Sequence, residues 1–174
     1  LQGLRNKRLK ELKAGTTKHQ QYLALGHGEY SQITQDEFLT HVTRSKSVTC
    51  HFFHKDFARC KILDKHFSSL ARKYIPTRFV SIDAEKAPFF VAKLSIKVLP
   101  TVLFFKVQVS CSLLQNGETQ DRMTGFEDLG GKDDFTAEQL ETRCAKAGVL
   151  VVDKKDDDDV VEDKQLKKVN PIRS

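Results

Sequence analysis

The sequence has few cysteines and no long apolar run, and both shortages narrow the class of protein. Its four cysteines stand at positions 50, 60, 111 and 144, with no C-x-x-C pair among them and no spacing typical of a zinc site. A disulfide framework of the kind found in small secreted domains is therefore not expected, and a reducing cytosol is the better match. No apolar stretch approaches the roughly 20 residues that cross a bilayer, so no membrane partner is expected.

Positive charge is concentrated at the start of the chain. The whole sequence carries 29 basic and 23 acidic side chains, for a formal net charge of +6. Residues 1–25 hold six Lys or Arg and one Glu, whereas residues 150–174 hold six basic and seven acidic side chains. The body between them is close to neutral, so the high pI reflects an N-terminal arm suited to an acidic partner. Nucleic acid is not expected as that partner, because only Tyr22 and Tyr30 supply aromatic rings near the basic residues.

The two ends of the chain are predicted to be extensions of one domain. Residues 1–30 predict a basic helical extension, helical up to Gly26, whose apolar positions make only a thin stripe. Such a helix is either a solvated extension or an element that binds a partner. Residues 150–174 are dense in charge and include the run Asp156–Asp159, which predicts a disordered tail with a solvated acidic patch.

The intervening residues, 31–149, alternate between helical and strand patterns. Thr34 and Glu37 have the spacing of a capping box at the start of a helix. The β-branched and aromatic run Ser47–His54 predicts a strand buried on both faces. From Cys60 onwards, apolar residues recur at the offsets of one helix face, which places Cys60 on a buried stripe. The next segment, RFVSIDA, predicts a second strand parallel to the first.

The second half of this body continues the pattern. A short helix with Pro88 near its start precedes an apolar strand, Val98–Phe105. Pro100 has to stand at the beginning of that strand, because proline cannot donate to a central ladder. An Asn-Gly pair then predicts a hairpin, which residues 107–115 interrupt as a predicted insertion. A closing helix follows, with Thr136 as its N-cap.

Several separated motifs in this order resemble one known family. The stretches GHGEY, VTCHFFHKDFARCKILDKH, AEKAPFFVAKLSIKVLPT and GFEDLGGKDDFTAEQLE are similar to those of the thioredoxin domain-containing protein 9 family, relatives of the phosducin-like proteins. The resemblance covers about residues 9–143. It implies an α/β protein with a thioredoxin-like fold, in which helices flank a central mixed sheet with an antiparallel edge hairpin. The insertion at 107–115 and the tail depart from the family pattern.

The resemblance also implies where a redox site would lie. Thioredoxins carry a C-x-x-C followed by lysine at a helix start, and the matching window here is Phe57, Ala58, Arg59 and Cys60. Phe57 replaces the cysteine that attacks substrate disulfides, so dithiol exchange is expected to be lost. Cys60 is expected to pack in the core, with a reactive monothiol as the alternative. The cis-proline loop of the family corresponds to Leu99, Pro100 and Thr101, so a cis bond is expected before the proline.

The function that the resemblance implies is that of a non-enzymatic co-chaperone without a cofactor. Family members bind the cytosolic chaperonin that folds actin and tubulin, and they dampen its ATPase. Two alternatives stay open, a monothiol oxidoreductase acting through Cys60 and a microtubule- or centrosome-associated adaptor. The implied compartment is the cytoplasm, with the nucleus or the centrosome as further locations. A metal site is not expected, because the spacings between the candidate ligands match no common zinc finger. These candidates are His51, His54, Cys60 and His66.

Deleting residues 107–115 is predicted to leave the domain folded or to stabilise it. The strand that ends near Phe105 would then meet the Asn-Gly turn directly, and a shorter loop costs less entropy to close. Chemical denaturation of the deletion variant and the full chain, followed by circular dichroism, measures the difference in the free energy of unfolding. Loss of the cooperative transition on deletion would contradict the insertion hypothesis.

Overall fold

A five-stranded mixed sheet forms the centre of the structure, a computed structural model that describes residues 2–106 and 121–150. In chain order the strands are β1 (Tyr30–Ile33), β2 (Ser47–Phe53), β3 (Thr77–Asp83), β4 (Thr101–Lys106) and β5 (Asp121–Thr124). Their order across the sheet is β1-β3-β2-β4-β5. Strand β3 pairs in parallel with β1 and β2, whereas β4 runs antiparallel to β2 and β5. The mixed sheet, the parallel crossover from β2 to β3 and the antiparallel edge are as predicted.

The helices are α1 (Gln2–Ala24), α2 (Gln35–Arg44), α3 (Ala58–Lys73), α4 (Pro88–Lys93) and α5 (Ala137–Lys146), with short 3₁₀ turns at Ala84–Lys86 and Glu127–Leu129. Helices α2, α4 and α5 begin where the start signals at Thr34, Pro88 and Thr136 predict. At the start of α2, the Glu37 carboxylate accepts a hydrogen bond of 3.0 Å from the backbone N–H of Thr34. At the start of α5, the side chain of Gln139 accepts a matching bond of 2.9 Å from the backbone N–H of Thr136. Both caps satisfy N–H groups that the first helical turn leaves without a partner.

Strand β1 is the element that the sequence pattern missed. The predicted order of the body began with helix α2, but the structure places Tyr30–Ile33 on the sheet edge beside β3 first. Only Ile33 of the four residues is fully buried. An edge strand needs only one covered face, so its short polar sequence lacks the apolar signal that marked the central strands.

Side chains of the central strands alternate between two cores, one on each side of the sheet. On one side, Phe52 and Phe105 lie under α2 and α4, where the rings of Phe38 and Phe90 pack with their centroids 4.3 Å apart. On the other side, α3 and α5 cover a core that contains Phe67. Six of the seven residues of β2 are buried, as the absence of polar alternation in this strand predicts.

Arg143 of α5 joins the closing helix to the sheet edge. Its guanidinium donates to both carboxylate oxygens of Asp121 at 2.6 and 3.0 Å and to Asp128 at 2.7 Å. The same group lies over the ring of Phe104, 5.3 Å from its centroid. Paired with two carboxylates, the pKa of Arg143 lies above its ordinary value, with the Asp121 hydrogen bonds as the largest cause. The last helix is thus tied to β5 by charge as well as by apolar packing.

Some predicted segments lie outside the described residues. These are the insertion at 107–115, the Asn-Gly turn at 116–117 and the tail from residue 151 onwards. Among the helices that the structure does describe, none combines the length and the apolar character needed to cross a membrane.

Candidate functional site

The window Phe57–Cys60 follows strand β2 and the loop Leu99–Thr101 leads into strand β4, so both lie at the same end of these paired strands and define the candidate site. Phe52, near the end of β2, pairs with Thr101, the first residue of the antiparallel strand β4. The residues that follow β2 therefore lie beside the residues that precede β4. The structure thus brings together the two segments that the resemblance singled out.

The loop before β4 is fixed by its own backbone and by the neighbouring strand. The peptide bond between Leu99 and Pro100 is cis, as expected. The carbonyl oxygen of Pro100 accepts a hydrogen bond of 2.7 Å from the N–H of Gly125, just after β5. The hydroxyl of Thr101 donates to the carbonyl oxygen of Val98 at 2.6 Å. Pro100 and Thr101 are buried, whereas Val98 is 52% exposed and presents its apolar side chain at the surface.

Phe57 occupies the N-cap position of α3 with an aromatic ring. The side chain is 45% exposed, and its ring centroid lies 5.0 Å from that of His54. His54 is oriented by its own contacts, since its Nε2 is 2.9 Å from Glu85 Oε1 and its Nδ1 accepts from the backbone N–H of Asp56. Position 57 corresponds to the nucleophilic cysteine of thioredoxins. In this chain it carries a hydrocarbon ring that packs against His54.

Cys60 lies one turn into α3 and faces the core. Cys60 is 1% exposed, and this burial agrees with its position on the apolar stripe predicted from the sequence. Burial is the largest cause and raises the pKa of the Cys60 thiol above its ordinary value; a hydrogen bond with the His54 backbone opposes it, and the charge of Asp64 adds a smaller rise. At neutral pH the thiolate is therefore disfavoured, and attack on a disulfide requires the thiolate.

The other cysteines of the described residues are no better placed for redox chemistry. Cys50 and Cys144 are both buried, and burial raises the pKa of each thiol, to about 12 for Cys144. The fourth cysteine, at position 111, lies outside the described part of the chain. No thiol in residues 2–106 or 121–150 combines exposure with a lowered pKa.

Arg59 links the start of α3 to the loop before α5. Its Nε lies 2.8 Å from Asp133 Oδ1, and its guanidinium lies over the ring of Phe126 at 5.3 Å from the centroid. Half of the side chain is exposed, so the ion pair is screened by solvent and adds little stability. Its effect is to orient the first turn of the helix toward a neighbouring loop.

A partly buried hydrogen-bond network of Tyr30, His51 and Asp64 was not predicted from the sequence. Asp64 of α3 accepts from Tyr30 OH at 2.6 Å and from His51 Nδ1 at 3.0 Å. Because the Asp64 carboxylate accepts this bond, the His51 nitrogen that faces it, Nδ1, carries a hydrogen. The other ring nitrogen, Nε2, is buried without a partner among the described residues. In the sequence, His51 stands inside the run Ser47–His54, which predicts a strand buried on both faces. That pattern indicates that the imidazole is buried, but it does not identify the imidazole's partners.

Asp64 is the charged centre of this network. Burial by itself raises the pKa of Asp64, but hydrogen bonds from His51 and Tyr30 outweigh burial and leave the pKa below its ordinary value. Burial, followed by the nearby Asp64 charge, raises the pKa of Tyr30. The network therefore joins β1, β2 and α3 around an ionised carboxylate.

The histidines of the rejected zinc hypothesis have separate partners. His51 contacts Asp64, His54 contacts Glu85, and His66 packs its ring on Phe135 at 4.8 Å between centroids. Each contact satisfies or packs the imidazole within its own part of the structure.

Helix α1 is the second surface of interest, and its base is anchored in the body by the residues that follow it. His27 is 3% exposed; its Nδ1 lies 2.8 Å from the carbonyl oxygen of Ile75 and its Nε2 lies 2.8 Å from Ser45 Oγ. Gly26 and Gly28, on either side, have left-handed φ angles of 79° and 83°. Such angles favour glycine, and a Cβ at Gly26 would also lie 3.2 Å from the Arg78 guanidinium.

The chain is similar to known thioredoxin domain-containing and phosducin-like proteins. The model of the thioredoxin family matches residues 29–127. The chain is 42% identical over 151 residues to human thioredoxin domain-containing protein 9, covering 86% of this chain and 63% of that protein. It is 45% identical over 147 residues to phosducin-like protein 3 of Dictyostelium discoideum, covering 84% of this chain and 74% of that protein. The chain spans less than two thirds of the length of the human protein and of several other relatives.

Solved structures agree on the fold. Thioredoxin f from spinach chloroplast matches with a TM-score of 0.56 at 20% identity, over 74% of this chain and 93% of that one. At this level of identity the match establishes the fold alone.

Replacing Cys60 with serine is predicted to destabilise the domain by about 1 to 3 kcal/mol, because the hydroxyl would be buried without a partner. Urea denaturation of the Cys60→Ser variant and the unmodified chain measures the difference in the free energy of unfolding. Ser68→Ala, on the exposed side of the same helix, is the control and should change this free energy much less. Equal stability of Cys60→Ser and the unmodified chain would argue for an accessible thiol.

Replacing Asp64 with asparagine is predicted to lower stability at neutral pH and much less in acid. The folded-state pKa of Asp64 is depressed, so its contribution is present above the unfolded pKa of about 4 and is lost as the pH falls through the folded value. The difference in unfolding free energy between Asp64→Asn and the unmodified chain should therefore shrink between about pH 5 and pH 2. A difference that is constant over this range would show that the ionised carboxylate is not the source.

Proposed function

Because this chain belongs to the thioredoxin domain-containing protein 9 family of phosducin-like proteins, we propose that it is a redox-inactive co-chaperone of the cytosolic chaperonin. In this proposal it binds the chaperonin, modulates the chaperonin ATPase and affects the folding of actin and tubulin in the cytoplasm. The thioredoxin-like body is the rigid part, and the charged helix α1 extends its contact surface.

One observation carries the non-enzymatic part of the proposal. The N-terminus of α3 bears Phe57 where disulfide exchange needs a nucleophile, and the remaining Cys60 is buried with a raised pKa. Disulfide exchange begins with an accessible thiolate, and neither residue offers one. A fold that retains its sheet and its cis-proline loop without that chemistry is suited to holding partners.

The surface of the candidate site supports a binding role. Phe57 and Val98 expose apolar side chains beside the loop before β4, and both project from backbone held by hydrogen bonds. Apolar groups on a pre-organised backbone lose little conformational entropy on binding. Helix α1 adds positive charge, which favours association with an acidic surface.

Affinity purification of the tagged full chain from a eukaryotic lysate is predicted to recover chaperonin subunits, identified by mass spectrometry. Addition of the purified chain to purified chaperonin should lower its rate of ATP hydrolysis. Insulin reduction with dithiothreitol should proceed at the same rate with the unmodified chain and with Cys60→Ser, because the buried Cys60 thiol with its raised pKa does not supply a thiolate for turnover.

Three results would contradict the proposal, each in a different way. Insulin reduction that depends on Cys60 would favour the monothiol oxidoreductase. Recovery of tubulin or centrosomal proteins without chaperonin subunits would favour the adaptor. An unchanged ATPase rate despite chaperonin binding would remove the regulatory part of the proposal.

A further inference from the structure

Helix α1 presents a positively charged surface with no apolar face. Its basic side chains are all exposed, and no ion pair between described side chains uses them: Arg5, Lys7, Arg8, Lys10, Lys13 and Lys18. Leu4, Leu9 and Leu12 are at least 49% exposed, and the apolar residues are spread around the helix instead of lining one side. A helix of this kind has no stripe to bury in an apolar groove. Its surface fits an anionic ligand.

A segment of matching charge occurs in the same chain. Residues 153–163 hold seven acidic side chains and two lysines, for a net charge of −5. Helix α1 holds six basic side chains and one glutamate, for a net charge of +5. Four of the acidic residues form the consecutive run Asp156–Asp159, so the negative charge is concentrated. The net charge of the segment is equal in magnitude and opposite in sign to that of α1. Opposite charges of this density attract at physiological ionic strength over about 8 Å.

The described backbone brings the base of α1 close to Val149, which precedes Asp153 by four positions in the sequence. The carbonyl oxygen of Val149 accepts a hydrogen bond of 2.6 Å from Thr77 Oγ1 at the beginning of β3. His27, just after α1, is held by the carbonyl oxygen of Ile75. The two attachment points are two residues apart, a span of at most about 7 Å. Val149 and the base of α1 are therefore attached at neighbouring positions of the body.

The distances along the chain allow the two segments to meet. Asp156 stands six positions after Leu150, and an extended chain of six residues reaches about 20 Å. Along α1, Lys18 lies about 10 Å and Lys13 about 18 Å from Leu25, at a rise of about 1.5 Å per residue. Both lysines are within reach of the acidic run.

We propose that the acidic segment 153–163 binds helix α1 of the same chain and competes with other acidic partners for that helix. Attachment at neighbouring positions gives the segment a high effective concentration at α1, on the order of millimolar. An external partner has to displace it, so α1 is open only to a ligand of greater charge or with additional contacts. The inference concerns a contact within the chain and holds whether or not the partner is a chaperonin.

Zero-length carbodiimide cross-linking of the full chain tests the contact directly. A mixture of unlabelled and ¹⁵N-labelled protein is treated and digested, and mass spectrometry separates links within one chain from links between chains. We expect links within one chain from Asp156–Asp159 to Lys10, Lys13 or Lys18, and their loss in about 1 M salt, where the screening length is about 3 Å. Links mainly between chains, or mainly to lysines of the body, would overturn the proposal.

Hydrogen exchange of α1 gives a second readout with matched variants. Changing Asp156–Asp159 to asparagine should speed amide exchange of residues 5–20 roughly two- to fivefold at low salt, the range expected for exposed ion pairs. The control changes four exposed acids of the body to their amides: Asp56, Glu127, Asp134 and Glu138. This control has the same net charge as the tail variant and should leave α1 exchange unchanged. Equal exchange in the tail variant and the unmodified chain would overturn the proposal.

Discussion

The central strand β2 is covered on both faces, and this double burial determines what the groups around the candidate site can do. A buried thiol cannot ionise readily, so the cysteines that face the two cores are packing residues. A partly buried carboxylate is stabilised in its ionised form by hydrogen-bond donors, and Tyr30 and His51 supply them to Asp64. Desolvation thus raises the pKa of Cys60, whereas at Asp64 the hydrogen bonds from His51 and Tyr30 outweigh it.

Elements buried on one or both faces were predictable because burial leaves a periodic trace in the sequence. The stripe from Cys60 along α3 and the uninterrupted run of β2 were both correct, and the caps at Thr34 and Thr136 follow from the residue types that satisfy helix N–H groups. Strand β1 left no such trace, because edge pairing uses backbone groups that every residue has. Its position depends on β3, a contact over 40 residues away in the sequence.

In the candidate site, too, some features were predictable from the sequence and others were not. The identity of the window Phe57–Cys60 and the cis bond before Pro100 came from the family pattern, whereas the support of the site did not. The stacking of Phe57 on His54 and the Arg59 contact with Asp133 join distant segments through side chains. Such contacts depend on the final packing, which no local pattern in one sequence encodes.

Helix α1 is attached to the body at its C-terminal end, through His27 and the two glycines beside it. A helix of 23 residues is about 35 Å long, so a rotation of about 10° at its base would move its far end by about 6 Å. A rotation of that size at the buried His27, 3% exposed, would therefore displace the far end of α1 by about one helical turn. The direction in which this protein extends its charge is set by a few atoms at the corner of the sheet.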